Sequence, residues 1–205
     1  MDLISKIFFL KKSNISPLIS KRLMEFENNR KSQSKIFSEL CFCLLTANFQ
    51  AERSINIQKK LEKDFFKAEE KELAHKLKEE GHRFWPQRAE CIVLAREKRR
   101  EILEALKNKN GKEVREWLVN NIKGLGMKEA SHFLRNVGFK DVAIIDFHIV
   151  DLLVKNRLLK SPKSLTKKRY LEIEEILEKL GKESSLNLAE LDLYLWYLET
   201  GKILK

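Results

Sequence analysis

The stretch that decides the fold is Lys123–Phe133, "KGLGMKEASHF", followed after a short interval by Ile144–Val150, "IIDFHIV". Two glycines around one leucine allow the backbone to turn sharply, and apolar residues recur at helical spacing on both sides of the turn. The sequence therefore predicts a helix–hairpin–helix motif at about residues 114–137. A further helix is expected to begin at Asp146, because aspartate is among the best residues for capping a helix start.

The hairpin has two features that suit a nucleic-acid site. The amides of Gly124 to Met127 stand at the start of a helix, where backbone N–H groups bind phosphate. Lys128 follows them, and there its ammonium opposes the helix dipole, which is a poor place for a structural cation. A neutral lysine amine is a nucleophile. Asp146 lies eighteen positions later, and a capping carboxylate can also face a cleft.

Composition favours a mostly helical chain with a real core. The 205 residues are 43% hydrophobic, Leu, Lys and Glu dominate, and only 7 Gly and 3 Pro are present. A chain of this length forms one large domain or two small ones that share a core. A disordered chain is excluded by the apolar content.

The charge balance points to a polyanionic partner. Lys and Arg number 41 against 30 Asp and Glu, a formal net charge of +11. A thermophile surface rich in Lys and Glu is the alternative, since 35% of the residues are charged. Thermophily accounts for many charges of both signs but not for the imbalance, which favours nucleic acid.

Cysteines and the N-terminus indicate a cytoplasmic protein. Cys41, Cys43 and Cys91 lie in apolar runs, so we expect buried free thiols rather than disulfides, a zinc site or an iron–sulfur cluster. The first apolar run is interrupted by Lys6 and is too short to span a membrane. We expect a protein associated with the nucleoid whose first helix packs on the core.

The hairpin and the later Asp-x-His resemble the helix–hairpin–helix DNA glycosylase superfamily. Its bifunctional members have a hairpin of the form L-x-G-[VL]-G-x-K-x-A and an Asp-x-His that opens a later helix. The matching residues are Gly124, Leu125, Gly126, Lys128, Ala130, Asp146 and His148. The segments "ELCFCLLTANFQ" (39–50) and "GHRFWPQRAECI" (81–92), the compact length and a Trp-containing helix near the end are similar to the archaeal-type, second family of 8-oxoguanine DNA glycosylases/AP lyases.

Two differences from other branches of the superfamily narrow the choice of family that this sequence resembles. The four-cysteine cluster of endonuclease-III-like members is absent, which argues against oxidised pyrimidines as substrates. A strand-rich segment that could form the N-terminal β-domain of eukaryotic-type 8-oxoguanine enzymes is also missing. The resemblance therefore implies an all-α fold over residues 1–205, a single glycosylase unit of two intertwined helical subdomains that flank a DNA-binding cleft.

The resemblance also implies a chemistry. Lys128 would attack C1′ of a flipped, damaged nucleotide, expel the base, and nick the strand by β-elimination through a Schiff base. Asp146 would help to deprotonate the lysine and stabilise positive charge on the sugar. No cofactor or metal is required, although a monovalent cation at the hairpin carbonyls stays open.

The remaining candidates concern the base pocket and the DNA backbone. Stacking faces for the base are Phe84, Trp85 and Trp196, each of which has core packing as its alternative, and the chain ends at Lys205, where this family has a lysine close to the base. Expected DNA contacts are Asn48, Lys123, Gly124, Gly126 and His148, with Arg135 as a further phosphate ligand.

The expected partner is double-stranded DNA that contains oxidised guanine, bound by a monomer that has no membrane contact. Two alternatives remain. The chain could be a glycosylase/lyase for a different lesion, or a non-catalytic helix–hairpin–helix module that binds DNA and needs neither Lys128 nor Asp146.

Overall fold

A computed structural model of the protein describes residues 2–107 and 109–205, and every regular element in these ranges is a helix. The all-α prediction is confirmed. The helices are α1 Leu3–Lys11, α2 Ile15–Asn29, α3 Gln33–Thr46, α4 Ala51–Lys67, α5 Glu70–Glu79, α6 Trp85–Glu97, α7 Arg99–Lys107, α8 Gly111–Asn121, α9 Met127–Asn136, α10 Phe147–Lys155, α11 Lys167–Ser184 and α12 Leu188–Thr200. Within the described ranges, no helix combines the length and apolarity that a membrane crossing requires.

The chain divides into two compact units. Residues Asn29–Phe133 form the central unit, and Met1–Asn28 together with Leu134–Lys205 form the terminal unit. Helix α9 therefore contributes its first residues to the central unit and its last residues to the terminal unit. That the whole chain acts as one glycosylase unit stays a prediction.

The central unit is built around α3, which is buried on nearly every face. Its residues from Ile36 to Thr46 are all buried, including the polar Ser38, Glu39 and Thr46. Helices α4 and α6 pack against it, and α5 packs against α6. Two amphipathic helices, α4 and α5, follow α3, and the 17 residues of α4 bury Ile57, Leu61 and Phe65 against the core.

The terminal unit joins the two ends of the chain. Its core contains Leu10 of α1, Ile19 and Phe26 of α2, and Leu193 and Tyr194 of α12. Helix α12 also packs against α10 and α11. The first helix of the chain therefore packs on the core, as the sequence indicates, and it contacts α11 and α12, the helix that carries Trp196.

Candidate active site

The predicted hairpin joins α8 to α9. Gly124 has a φ of +90°, the left-handed conformation that favours glycine, and Leu125 is buried. A Cβ built on Gly124 would lie 2.7 Å from Sγ of Cys91 and 3.2 Å from Leu44, so only glycine fits this close approach. The helix–hairpin–helix motif is confirmed, and the hairpin packs tightly on α6 and α3.

Lys128 is the second residue of α9, and its side chain is partly exposed. Its Nζ lies 3.0 Å from Oε1 of Glu129, and the two side chains are 28% and 14% exposed. The helix beneath it is fixed, because Ala130 and Phe133 are fully buried and Arg115 donates a hydrogen bond to Ser131 at 3.2 Å. Lys128 therefore projects from a helix that is packed into the core, and its amine forms an ion pair with the adjacent residue, Glu129. Sequence reasoning missed Glu129, although the adjacent Lys and Glu were the available signal.

Lys123 precedes the hairpin and is exposed. Its Nζ donates a hydrogen bond to Glu90 of α6, and this bond raises the pKa of Lys123. Gly124 and Gly126 are also exposed at the turn. The two glycines and the cation expected near a phosphate therefore lie at the surface of the central unit, while their contact with DNA stays a prediction.

Asp146 caps α10 in the terminal unit. Its Oδ1 accepts a hydrogen bond from the amide of Ile149 at 3.0 Å, so the ordinary capping role is present. The preceding segment is buried and held by α11. The hydroxyl of Tyr170 donates to the carbonyl of Ala143 at 2.7 Å and accepts from the amide of Ile145 at 3.2 Å. The carboxylate is therefore rigidly placed, and the residues that place it gave no signal in the sequence.

Three aromatic rings lie close together at the start of α10, the helix that Asp146 caps. The Phe147 and His148 ring centroids are 3.9 Å apart at an interplanar angle of 35°, and His148 meets Trp196 edge-on at 5.1 Å and 88°. Trp196 is half-buried, and its indole Nε1 has no hydrogen-bond partner among the described residues. The structure thus brings together two predicted site residues, His148 and Trp196, and adds Phe147, which sequence reasoning missed.

The other base-pocket candidates lie in the central unit or at the chain end. Phe84 precedes α6 as its N-cap residue and Trp85 is the first residue of the helix. Both are partly buried, and the Arg83 guanidinium lies 4.5 Å from the Phe84 ring centroid. Lys78 Nζ lies 5.4 Å from the Trp85 ring centroid. Lys205 is half-buried. Their contact with a base stays a prediction.

A buried histidine links the Asn48 loop to the Phe84 segment. His82 is 1% exposed, with Nε2 2.9 Å from the carbonyl of Leu45 and Nδ1 accepting from the amide of Phe84 at 3.2 Å. Its ring also lies 4.1 Å from the ring of Phe49. Burial lowers the pKa of His82, which favours the neutral ring that can donate at one nitrogen and accept at the other.

Asn48 itself is exposed at the tip of the α3–α4 loop, with a left-handed φ of 58°. Arg88 donates to the carbonyl of Ala47 at 3.0 Å and braces the same loop. An exposed polar side chain on a braced loop suits the predicted contact with DNA.

The prediction that Arg135 contacts phosphate was wrong. Its side chain is buried in the terminal unit, forms an ion pair with Asp192, donates to Oδ1 of Asn136 at 2.9 Å, and lies over the ring of Phe26. Burial raises the pKa of Asp192, and the guanidinium opposes that effect. Arg135 is therefore neutralised within the core and is not available to DNA.

Comparisons with known proteins agree on one family. A family model described as 8-oxoguanine DNA glycosylase matches residues 19–186. The 8-oxoguanine DNA glycosylase/AP lyase of Methanocaldococcus jannaschii is 54% identical over 209 residues, covering 100% of both chains. That of Korarchaeum cryptofilum is 52% identical and covers 100% of this chain and 98% of its own.

Solved structures show the same likeness. The M. jannaschii 8-oxoguanine glycosylase/lyase, crystallised in complex with 15mer DNA containing 8-oxoguanine, matches with a TM-score of 0.95 at 53% identity over 99% of each chain. The 8-oxoguanine DNA glycosylase of Thermotoga maritima matches with a TM-score of 0.92 at 41% identity, over 99% of this chain and 98% of that one.

Proposed function

Because this chain belongs to the 8-oxoguanine DNA glycosylase family, we propose that it excises 8-oxoguanine from DNA and then cleaves the strand at the abasic site. The observation that carries this proposal is the likeness over the full length of the chain to a glycosylase/lyase crystallised on DNA containing 8-oxoguanine. The net charge of +11 and the exposed hairpin glycines support DNA as the partner.

Lys128 is the proposed nucleophile. Its neutral Nζ attacks C1′ of the flipped nucleotide, the N-glycosidic bond breaks, and the base leaves with the bonding electrons and takes up a proton. The sugar ring opens to a Schiff base on Nζ. Loss of a C2′ proton then expels the 3′ phosphate, which nicks the strand. The partly exposed amine on a buried, rigid helix supports this role.

Asp146 is the proposed carboxylate partner of this reaction. It takes part in removing the proton from the attacking amine and stabilises positive charge on the sugar. A carboxylate already held by the amide of Ile149 loses little freedom in the reaction, which supports the role. Neither step calls on a metal or an organic cofactor.

We propose roles in base recognition for three aromatic residues and one lysine. Phe84, Trp85 and Trp196 would stack on the flipped base, with Lys205 close to its edge. The Trp196 side chain is only half-buried, which supports a stacking role. Asn48 would fill the gap that the base leaves in the duplex.

The direct test is a nicking and base-release assay. A 5′-labelled duplex with one 8-oxoguanine opposite cytosine is incubated with the wild-type protein, Lys128→Gln and Lys123→Gln. The two lysines form a matched pair, because both lie at the hairpin and each has one carboxylate partner, Glu129 or Glu90. At protein concentrations that saturate the duplex, we expect the wild type and Lys123→Gln, which loses one predicted phosphate contact, to release 8-oxoguanine and nick 3′ to it, and Lys128→Gln to do neither.

The alternatives predict different results in the same assay. A module that only binds DNA would retain the duplex but leave it intact in all three proteins. A glycosylase/lyase for another lesion would leave 8-oxoguanine in place and cut a different substrate in a panel of damaged duplexes. Equal cutting by Lys128→Gln and the wild type would contradict Lys128 as the nucleophile.

A further inference from the structure

We infer that Phe147 is a DNA-stacking residue whose phenyl ring packs on an unpaired nucleobase beside the lesion. This inference deepens the proposed function and rests on it for the choice of DNA as the ligand. The ring immediately follows Asp146 in the chain and lies outside the set of residues that the sequence motif selects.

The exposure of Phe147 is the first observation. The residue is 68% exposed, and among the large exposed hydrophobic residues of the described chain only Phe9, at 67%, is comparable. Isolated exposed apolar residues are common on protein surfaces, so exposure alone does not define a binding residue. It does mean that most of the Phe147 ring is available to a ligand.

The second observation is that this exposed ring is held in place. It lies 3.9 Å from the His148 ring, and His148 is in turn edge-on to Trp196 of α12. The backbone of Phe147 is fixed as the first residue of α10, directly after the Asp146 cap. A ring that is already ordered loses little conformational entropy when a ligand stacks on it.

The chemical nature of the exposed face of the Phe147 ring indicates which kind of ligand it binds. A phenyl ring offers an apolar π face without a charge or a hydrogen-bonding group, so it binds another flat ring rather than a phosphate. Bases inside a duplex already stack on their neighbours and cannot offer a face. Base flipping opens the stack, and aromatic side chains bind exposed bases in a way that tolerates sequence.

Binding measurements test this inference, with all proteins carrying Lys128→Gln so that the DNA stays intact. Phe147→Ala, Phe147→Leu and Phe147→Trp are compared on three DNAs: a duplex with 8-oxoguanine opposite cytosine, the undamaged duplex, and a duplex with a three-base bulge. Phe9→Ala is the matched control for removal of an equally exposed ring. Thermal unfolding of each variant shows that the fold is retained.

We expect Phe147→Ala and Phe147→Leu to weaken binding to the lesion and bulged duplexes about tenfold, the scale of one lost base stack. Binding to the undamaged duplex should change by less than about twofold, because no base is free to stack. Phe147→Trp and Phe9→Ala should bind like the parent. Unchanged binding by Phe147→Ala, an equal loss on all three DNAs, or full binding by Phe147→Leu would each overturn the inference.

The bulged duplex separates this inference from the proposed function. If the parent protein does not prefer 8-oxoguanine, the proposed lesion specificity fails, but the bulge still provides unpaired bases that test the Phe147 ring. If the parent prefers the lesion and Phe147→Ala binds all three DNAs as tightly as the parent, only the Phe147 inference fails.

Discussion

Two cations on helix α9 have the same charge and opposite environments. Lys128 lies in its first turn with its side chain 28% exposed, and its ion-pair partner is its neighbour Glu129. Arg135 lies near its end with its side chain 5% exposed, and it pairs with Asp192 of α12. Residues seven apart lie on nearly the same face of a helix, so periodicity alone assigns the two cations similar surroundings.

We propose that α9 carries the reactive lysine at one end and a structural arginine at the other. Arg135 forms an ion pair with Asp192, donates a hydrogen bond to Asn136 and lies over the ring of Phe26. All of these contacts lie in the core of the terminal unit. Lys128 has a partly exposed ion pair, a kind that contributes at most about 1 kcal/mol to stability. We therefore expect Arg135 to hold the fold and Lys128 to be free to react.

The largest expected effect on stability is that of Arg135→Met. It leaves the buried carboxylate of Asp192 without its counter-charge, which costs about 3–5 kcal/mol, whereas Lys128→Met costs less than about 1 kcal/mol. Urea unfolding followed by circular dichroism measures both. The double variant Arg135→Met/Asp192→Leu should recover much of the loss. Equal losses of unfolding free energy in Arg135→Met and Lys128→Met would contradict the proposed difference between the two residues.

Asp146 combines a structural role, as the cap of α10, with a proposed role in the reaction. Asp146→Asn keeps a side-chain oxygen for the amide of Ile149 but removes the charge, so stability should hold while the cleavage rate falls about 10²–10³-fold. Asp146→Ala should lose the cap as well, at about 1 kcal/mol. Single-turnover cleavage and urea unfolding are the measurements. If Asp146→Asn cleaved DNA at the wild-type rate, Asp146 would act only as a helix cap.

The two hairpin glycines test how closely the turn before Lys128 packs against α6. Gly124→Ala forces a side chain into a left-handed φ and brings its Cβ to 2.7 Å from the buried Sγ of Cys91, so we expect a loss of about 1–3 kcal/mol. Gly126→Ala is the matched control. Its Cβ would meet only Oε2 of Glu129 at 3.1 Å, at the end of a flexible side chain. Melting temperatures compare the two, and a larger drop for Gly126→Ala would contradict the close packing of the hairpin.

The smallest expected effect is the pH response of His82. Burial lowers its pKa in the folded protein below the ordinary value of 6.5. As pH falls below about 6.5, the unfolded chain binds the proton first, and the stability that neutral His82 contributes is progressively lost. His82→Gln should flatten the pH dependence of stability on this acid side, whereas His75→Gln, at a side chain 72% exposed, should not. Urea midpoints at several pH values provide the test, and parallel curves for wild type and His82→Gln would contradict it.

Local signals explain most of what the sequence predicted correctly. The hairpin depends on two glycines and a buried leucine, and the start of α10 depends on the Asp146 cap; these features act within a few residues and are visible in the sequence. Free, buried cysteines also followed from their apolar surroundings.

Long-range packing explains what the sequence could not predict. The partner of Arg135 lies 57 residues away in the chain, and nothing near Arg135 indicates that it is buried. Similarly, the residues that place Asp146 belong to α11, and the His82 ring contacts α3 and the loop beyond it. The motif selected Lys128 and Asp146 as candidates, but the supporting residues became visible only in three dimensions.

The most direct test of the central proposal is reductive trapping followed by peptide mapping. The wild-type protein is incubated with the 8-oxoguanine duplex and with an undamaged duplex in the presence of borohydride, and Lys123→Gln is the control. We expect a covalent protein–DNA adduct on the damaged duplex alone, with the modification on Lys128. An adduct mapped to Lys123 or another lysine, or DNA cleavage without any adduct, would contradict the assignment of Lys128 as the nucleophile.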